Sequence, residues 1–539
     1  MRLFNHTLTI CISTACLLSA CSKQLDEQVY SDLTSQGYTF TEADYYGVTT
    51  KVYTGLRSLW GEQDFYMAQE STTDAIVMPA NGSGWDDGGL YKRMHLHGWN
   101  AEQSHVRNTW NKLFQGILNA NTIIQQLETD EVPVPAAVGK AAAIAEIKAV
   151  RAFYYWLICD NFGDAPLVST VTQELPENAS RRQLYDFIVS ELTASIPALT
   201  EEKNGITYGK FNKWVAKTVL ANVYLNAKVY VGEDHWTDCL AQCNDIIGSN
   251  KYTLATNYRD NFLTDNVSSP ETIFAIPFDQ TLATNFYVHM YSWHAALRNK
   301  FDMTTTPYGA GSAKGVPQFI DTYDPEDQRL PDSWLMGQQF ASNGTTALLG
   351  SYDKSGQPLV FTNSMPDGLY TGEADGYRMN KFEVALGAMR DLSNDFPFFR
   401  YSEVLLMKAE CLLRTGKADE AATIVSDLRV RNFRSAPVKA TVTGAQLEGN
   451  SKYQYGYVEN GVVVDPGNTA VVPFGGMLDE LGWEFAWEGH RRRDMIRFGT
   501  YTSKSWLSHK PAGDYRAVFP IPQEAINTNP KLIQNPDYN

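Results

Sequence analysis

Apolar positions recur at helical spacing over much of the first half of the chain. Between residues 106 and 127 they fall at Val106, Trp110, Leu113, Ile117, Ala120, Ile124 and Leu127, which is the stripe of an amphipathic helix. Residues 140–160 are alanine-rich and helical, and the breaker Asn161-Phe162-Gly163-Asp164 ends them. Further helices are predicted over 184–196, 212–230 and 233–248, the last with Trp236, Cys239, Leu240, Cys243, Ile246 and Ile247 on one face. From about 265 to 395 the pattern dissolves into Gly, Pro, Asn and Asp with short runs such as Ile273 to Ile276. This reads as long loops with a few short strands, and so long a loop-rich stretch is more often functional than accidental. Helical period returns at 399–431, where Gly416 turns the chain between two apolar faces. That unit, like the pair at 212–230 and 233–248, has about the length of a tetratricopeptide repeat without its full consensus. A last long helix is predicted over about 477–498, before an irregular tail. The fold expected is therefore mainly α, a tetratricopeptide-like stack of helix pairs carrying a loop-rich lobe with a few short strands.

The first residues follow a different pattern. Arg2 precedes an apolar run around Leu8–Leu18, and Leu18-Ser19-Ala20-Cys21 closes it. A short apolar core ending in small residues is a secretory signal, and a cysteine directly after them makes it a lipobox. Residues 1–20 are read as a lipoprotein signal peptide, and Cys21 as the lipid attachment site and mature N-terminus. Residues 22–40 are polar, a tether or a first strand-like segment. No later segment offers about 18 uninterrupted apolar residues, so anchoring is expected through lipid. Of seven cysteines, Cys159, Cys239, Cys243 and Cys411 remain in the mature chain. Cys239 and Cys243 lie one helical turn apart, but His235 is their only candidate co-ligand, so packed thiols are expected there and no metal site.

The net charge of −16 argues against a nucleic-acid binder. The 12% aromatic content, with 29 Tyr and 12 Trp, is high enough to suggest a recognition surface. In Asn81-Gly82-Ser83-Gly84-Trp85-Asp86-Asp87-Gly88-Gly89 a single Trp sits in a polar, flexible segment. An indole packs on the C–H face of a sugar ring while neighbouring carboxylates and amides take its hydroxyls, so Trp85 and Asp86 are candidate ligand contacts. A second cluster holds Tyr287, Tyr291 and Trp293, whose alternation over 285–293 also fits a half-buried strand. Trp334 is a weaker candidate, and Trp483 and Trp487 are expected in the core. Catalytic constellations are poorly supported. Glu484 and Glu488 stand among Arg491, Arg492, Arg493 and Arg497, which reads as a salt-bridged helix. Asp74, Asp86 and Asp87 lack the spacing of a calcium loop. No nucleophile elbow, Walker A or dinucleotide fingerprint is evident, and no cofactor is expected.

Several segments resemble, in order, those of the SusD/RagB family of surface lipoproteins from Bacteroidetes. Phe399-Arg400-Tyr401-Ser402-Glu403-Val404-Leu405-Leu406 with Ala409-Glu410 resembles its "FRYAEVLLMYAEA" helix. Glu480 through Arg491 resembles "ERRRELAFEGHR", and Phe519-Pro520-Ile521-Pro522 with Asn529 through Tyr538 resembles the "LFPIP…NPNLTQNPGY" tail. Lys148 through Leu167 and Tyr323 through Arg329 supply two further matches. Arg492 and Arg493, where the family often has an aromatic, and Asp537, where it has Gly, are departures at positions of packing or turn geometry. The resemblance implies an N-terminal region over 21–225 and a C-terminal region over 226–539, joined in one globular unit. It also implies an outer-membrane lipoprotein that binds poly- or oligosaccharide without catalysis and caps a SusC-like TonB-dependent transporter. A peptide-binding, RagB-like protein and a surface glycoside hydrolase are the alternatives.

Overall fold

The computed structural model describes residues 39–538. The predicted signal peptide, Cys21 and most of the 22–40 segment lie outside the described residues. Nine helices carry the argument: α1 Ser104–Glu128, α2 Lys140–Phe162, α3 Arg181–Ser195, α4 Lys213–Leu225, α5 Trp236–Gly248, α6 Tyr401–Arg414, α7 Ala418–Arg429, α8 Gly475–Phe485 and α9 Arg491–Arg497. Consecutive helices pack together from α1 to α7, and α8 packs on α9. The helix-pair scaffold expected from the periodicity is therefore present. No helix among the described residues is long and apolar enough to cross a membrane.

Local chemistry accounts for the starts and crossings. Ser180 and Gln183 form a capping box on α3, and the Asn212 side chain accepts from the N–H groups of Trp214 and Val215 to start α4. The α1–α2 crossing is close because position 116 is glycine. A Cβ there would lie 2.3 Å from the Tyr154 ring. From Val150 to Phe162, α2 is buried on every side, as suits the central helix of the stack.

The long insertion between α5 and α6 contains few strands. Thr272–Ile276 (β1) pairs antiparallel with Phe396–Arg400 (β2), and this pairing returns the chain to α6. Gly456–Glu459 (β3) and Val462–Asp465 (β4) form a hairpin that the sequence did not suggest.

The core is held by a cluster of buried charges. The Arg400 guanidinium binds Glu488 through two bonds of 2.7 and 2.8 Å, and reaches Glu484 at 3.1 Å and Glu271 at 3.2 Å. Arg431 binds Glu484 at 2.7 Å and also pairs with Glu271. Arg329 takes Asp327 at 2.7 Å and Glu480 at 2.6 Å, and Lys381 takes Glu488 at 2.6 Å. Burial alone would raise the Glu484 carboxyl, but Arg431, Arg400 and Arg329 together pull it down to about 2. The acid–base pattern around 484–488, read as a salt-bridged helix, is thus a buried network that joins distant segments.

That network corrects the last predicted helix. Residues 477–498 are broken at Ala486–His490, where Trp487 and Gly489 have φ of +68° and +77°. The Trp487 carbonyl accepts from the Tyr66 hydroxyl at 2.9 Å, and the Gly489 N–H donates to Glu70 at 2.7 Å. The turn sends Glu488 back to Arg400 while Arg491 goes to Asp74, at 2.7 and 2.9 Å. Asp74, grouped above with the loop carboxylates, is therefore a buried partner of Arg491. Cys239, Cys243 and Cys411 are buried thiols, and no metal-holding cluster of His, Cys, Asp or Glu is found among the described residues.

Two predictions follow from these charges. Arg400→Met leaves Glu488 and Glu484 short of partners in the interior, and should cost about 3–5 kcal/mol in denaturant unfolding. A midpoint within error of the wild type would contradict the central role given to this residue. Burial pushes the Glu70 carboxyl up to about 8 against an ordinary value of 4.5. The folded state then holds a proton that the unfolded state releases, so stability falls as pH rises from 4.5 to 8. Glu70→Gln should flatten the upper part of that decline, measured as melting temperature against pH.

Candidate ligand-binding pocket

The Trp85 segment is held at both ends by backbone pairing. Ala80–Asn81 pairs in parallel with Tyr370–Thr371. The Asn81 N–H donates to the Trp85 carbonyl at 3.1 Å, and the Gly84 N–H to the Asn81 carbonyl at 3.0 Å. Gly84, at φ +87°, permits this tight return. Beyond Trp85, the Asp87 carboxylate accepts from the Tyr91 N–H at 2.9 Å and caps the short helix Leu90–His95. Asp86 accepts from the Gly88 N–H at 3.0 Å. The sequence suggested a flexible polar loop, but the structure shows a braced one with the Trp85 ring 6.0 Å from that of Tyr91.

The second aromatic cluster is a helix, not a strand. Val288–Ser292 makes a short helical turn, so the alternation over 285–293 does not place alternate residues on two faces. The three candidates separate as a result. Trp293 is buried, stacked on Phe301 at 4.5 Å, and its indole N–H donates to the Met379 carbonyl at 2.6 Å. It has no free face, and its assignment as a ligand platform is corrected to core. Tyr287 is half-buried, with the Arg390 guanidinium 4.9 Å from its ring centroid, so one face is already covered. Tyr291 is 2% exposed and lines a cavity, but its hydroxyl is buried, with no hydrogen-bond partner among the described residues. Trp334 is also core, against Phe319 and Trp487, and Trp483 and Trp487 are buried as expected.

The cavity unites the two clusters. Its volume is about 230 Å³, and Trp85 and Tyr291 both line it. Tyr308, 43% exposed, supplies a further aromatic wall. The polar lining comes from Glu62, Asn81, Ser83 and Ser312. The Asn81 amide donates to the Ser312 hydroxyl at 2.6 Å, which ties the Trp85 loop to the Tyr308 loop. Gly309 lets the two loops close. Its φ is +57°, and a Cβ there would meet the Ser83 hydroxyl at 2.9 Å. The Tyr308 N–H donates to the Met290 carbonyl and the Ser312 N–H to the Tyr291 carbonyl, both at 2.7 Å, fixing this wall on the short helix.

Asp86 is exposed beside the cavity and does not line it. Burial raises the Asp87 carboxyl against the pull of the Tyr91, Gly89 and Leu90 N–H groups. The Glu62 carboxyl is also raised, by burial and then by Asp87. Sequence reasoning passed over Glu62, Tyr308 and Ser312. Tyr308 carried a usable signal, since Pro307-Tyr308-Gly309-Ala310-Gly311 sets one aromatic among glycines much as the Trp85 segment does.

The sequence model of the SusD family matches residues 218–538, more than half of the chain. A second model, described as starch-binding associating with outer membrane, matches residues 23–225. The chain is 27% identical to the starch-binding protein SusD of Bacteroides thetaiotaomicron, over 73% of this chain and 72% of that protein. It is 23% identical to a SusD-like protein of Formosa agariphila over 99% of this chain and 98% of that one. Among solved structures it is similar to surface glycan-binding protein A from Bacteroides thetaiotaomicron in complex with laminarihexaose. The TM-score there is 0.68 at 18% identity, covering 92% of this chain and 99% of that one. A laminarin-binding SusD-like protein gives 0.66 at 19% identity, covering 93% and 100%. The fold is shared with these structures, and the chain belongs to the SusD family.

Proposed function

We propose that this protein captures an oligo- or polysaccharide at the cell surface, held to the outer membrane through lipid on Cys21. We further propose that it delivers the glycan to a SusC-like TonB-dependent transporter and breaks no bond itself. One observation carries the binding part. Trp85, Tyr291, Tyr308 and Met78 wall a mainly apolar cavity whose polar lining is the Asn81 amide, the Ser83 and Ser312 hydroxyls and Glu62. A sugar ring has an apolar C–H face and a polar rim, and such a cavity matches both. The names of the relatives, starch-binding and glycan-binding, agree with this reading. Lipid anchoring and transfer rest on the lipobox and on family membership.

The stack of helix pairs offers a broad wall for a transporter, while the lobe between α5 and α6 supplies Tyr291 and Tyr308. Delivery would then follow from movement of the whole protein over the transporter, with the ligand enclosed between them. The cavity is small, so it would grip one or two sugar units and leave the rest of a long glycan to lie across the surface.

Affinity electrophoresis of residues 22–539 in gels containing neutral and acidic polysaccharides tests the reading. Retardation by at least one glycan is expected, lost in Trp85→Ala. Retardation unchanged by that substitution would move the site elsewhere. Binding of peptides in place of glycans would favour the RagB-like alternative, and release of reducing sugar would favour a glycoside hydrolase.

A further inference from the structure

A buried carboxylate behind the pocket gathers the segments that form its walls. Glu373 follows Tyr370–Thr371, the strand that pairs with Ala80–Asn81, and the Gly82 N–H donates to the Thr371 carbonyl at 2.9 Å. The Glu373 side chain has no exposed surface. One of its oxygens accepts from the Tyr352 and Lys354 N–H groups. The other accepts from the Ser351 N–H at 2.7 Å and from His294 Nε2 at 2.8 Å. These four donors replace the water that burial takes from the carboxylate.

The bonded segments in turn touch both walls of the pocket. Asp353, in the 351–354 loop, accepts from the Glu373 N–H at 2.9 Å, and the same oxygen lies 3.1 Å from where a Cβ on Gly82 would sit. The Tyr352 hydroxyl lies 3.8 Å from the place of a Cβ on Gly309. The loop thus backs the Trp85 segment at one end and the Tyr308 turn at the other. His294 reaches that turn through the main chain, since the next residue, Ala295, donates its N–H to the Gly309 carbonyl at 2.8 Å. Nδ1 of His294 accepts from the Ala296 N–H at 3.1 Å, which leaves the ring proton on Nε2, facing Glu373. Burial lowers the His294 imidazole against the pull of Glu373, and Arg378 and Lys314 add to the lowering, so the ring is a neutral donor. Neither residue bonds to the Arg400 and Glu484 network.

We propose that the buried Glu373–His294 pair is the positioning device of the ligand pocket. It holds the 351–354 loop and the Gly309 turn against the Trp85 segment, so that the Trp85 and Tyr308 rings stand in place before a ligand arrives. This role builds on the glycan-binding reading above and adds residues that touch no sugar. Two rings grip a sugar only at the right separation, and ordering two loops on binding would subtract from affinity. A carboxylate that takes donors from both sides of the pocket spares the ligand that ordering.

Hydrogen–deuterium exchange of residues 22–539, with isothermal titration of laminarihexaose and maltohexaose, tests this. In Glu373→Gln the amide nitrogen must face two N–H donors whichever way it turns, and in His294→Leu the Nε2 donor is gone. Both variants should exchange faster over 81–89, 308–312 and 350–354, with 396–414 as in the wild type. Both should bind the hexaose that the wild type binds about tenfold more weakly. His294→Gln, whose amide reaches as far as Nε2, should restore slow exchange and affinity together. A pair that served stability alone would lower the melting temperature and leave the affinity of the folded protein unchanged, and that result would overturn the inference. Unchanged exchange over 81–89 and 308–312 in both variants would overturn it too. If the wild type binds neither hexaose, the glycan reading loses its support, and the exchange pattern alone decides the positioning role.

Discussion

The structure turns on a single buried salt-bridge cluster centred on Glu484 and Arg400. Glu484 meets Arg400, Arg431 and Arg329, which come from the end of β2, the chain after α7 and the loop lobe. Glu271, just before β1, and Lys381, in the lobe, close the ring. Ions this deeply buried are expensive to desolvate and contribute only when every partner is present. That condition joins segments more than a hundred residues apart. It also explains why the lobe between α5 and α6 can be long and poor in strands without being loose at its base. Its entry and exit strands are paired, and Glu271 at its entry meets Arg400 at its exit.

This constraint also marks where the sequence stops being readable. Helices with strong apolar stripes, such as α1 and α5, were legible because their pattern is local. The break at Ala486–His490 was not, because its one local signal, Gly489, sits amid a strong helical pattern. Trp487 adopts a positive φ only because Trp334 and the Tyr66 hydroxyl receive it in that position. Local propensity favours one helix there, and tertiary bonding overrides it. The motif carrying the family resemblance and the residues building the core network are largely the same, so recognition of the family ran ahead of any account of why those residues are there.

The aromatic composition shows a second limit. An excess of Trp and Tyr suggested a recognition surface, yet ten of the twelve Trp are buried and only Trp85 and Trp236 are not. Most of the aromatic content builds the interior, including the packing of Trp60, Phe396 and Phe398. Trp293 and Trp334 looked like surface candidates because a loop-rich stretch was assumed to be exposed. A large lobe with few strands must bury its side chains by direct packing, and large flat rings do that efficiently. Trp85 was legible for the opposite reason. Its neighbours are Gly, Ser and Asp, which offer an indole no core to join.

The pocket itself could not be found in the sequence because it is a meeting of three segments, around residues 62, 81–85 and 291–312. None of them alone has the composition of a site. What assembles them is backbone hydrogen bonding and one tolerance for close approach, at Gly309. A pocket built this way separates stability from recognition. The Asn81–Ser312 bond and the backbone bonds hold the segments, while the Trp85 and Tyr308 rings face the cavity. Such a scaffold can exchange a few cavity side chains at little cost to the core that supports them.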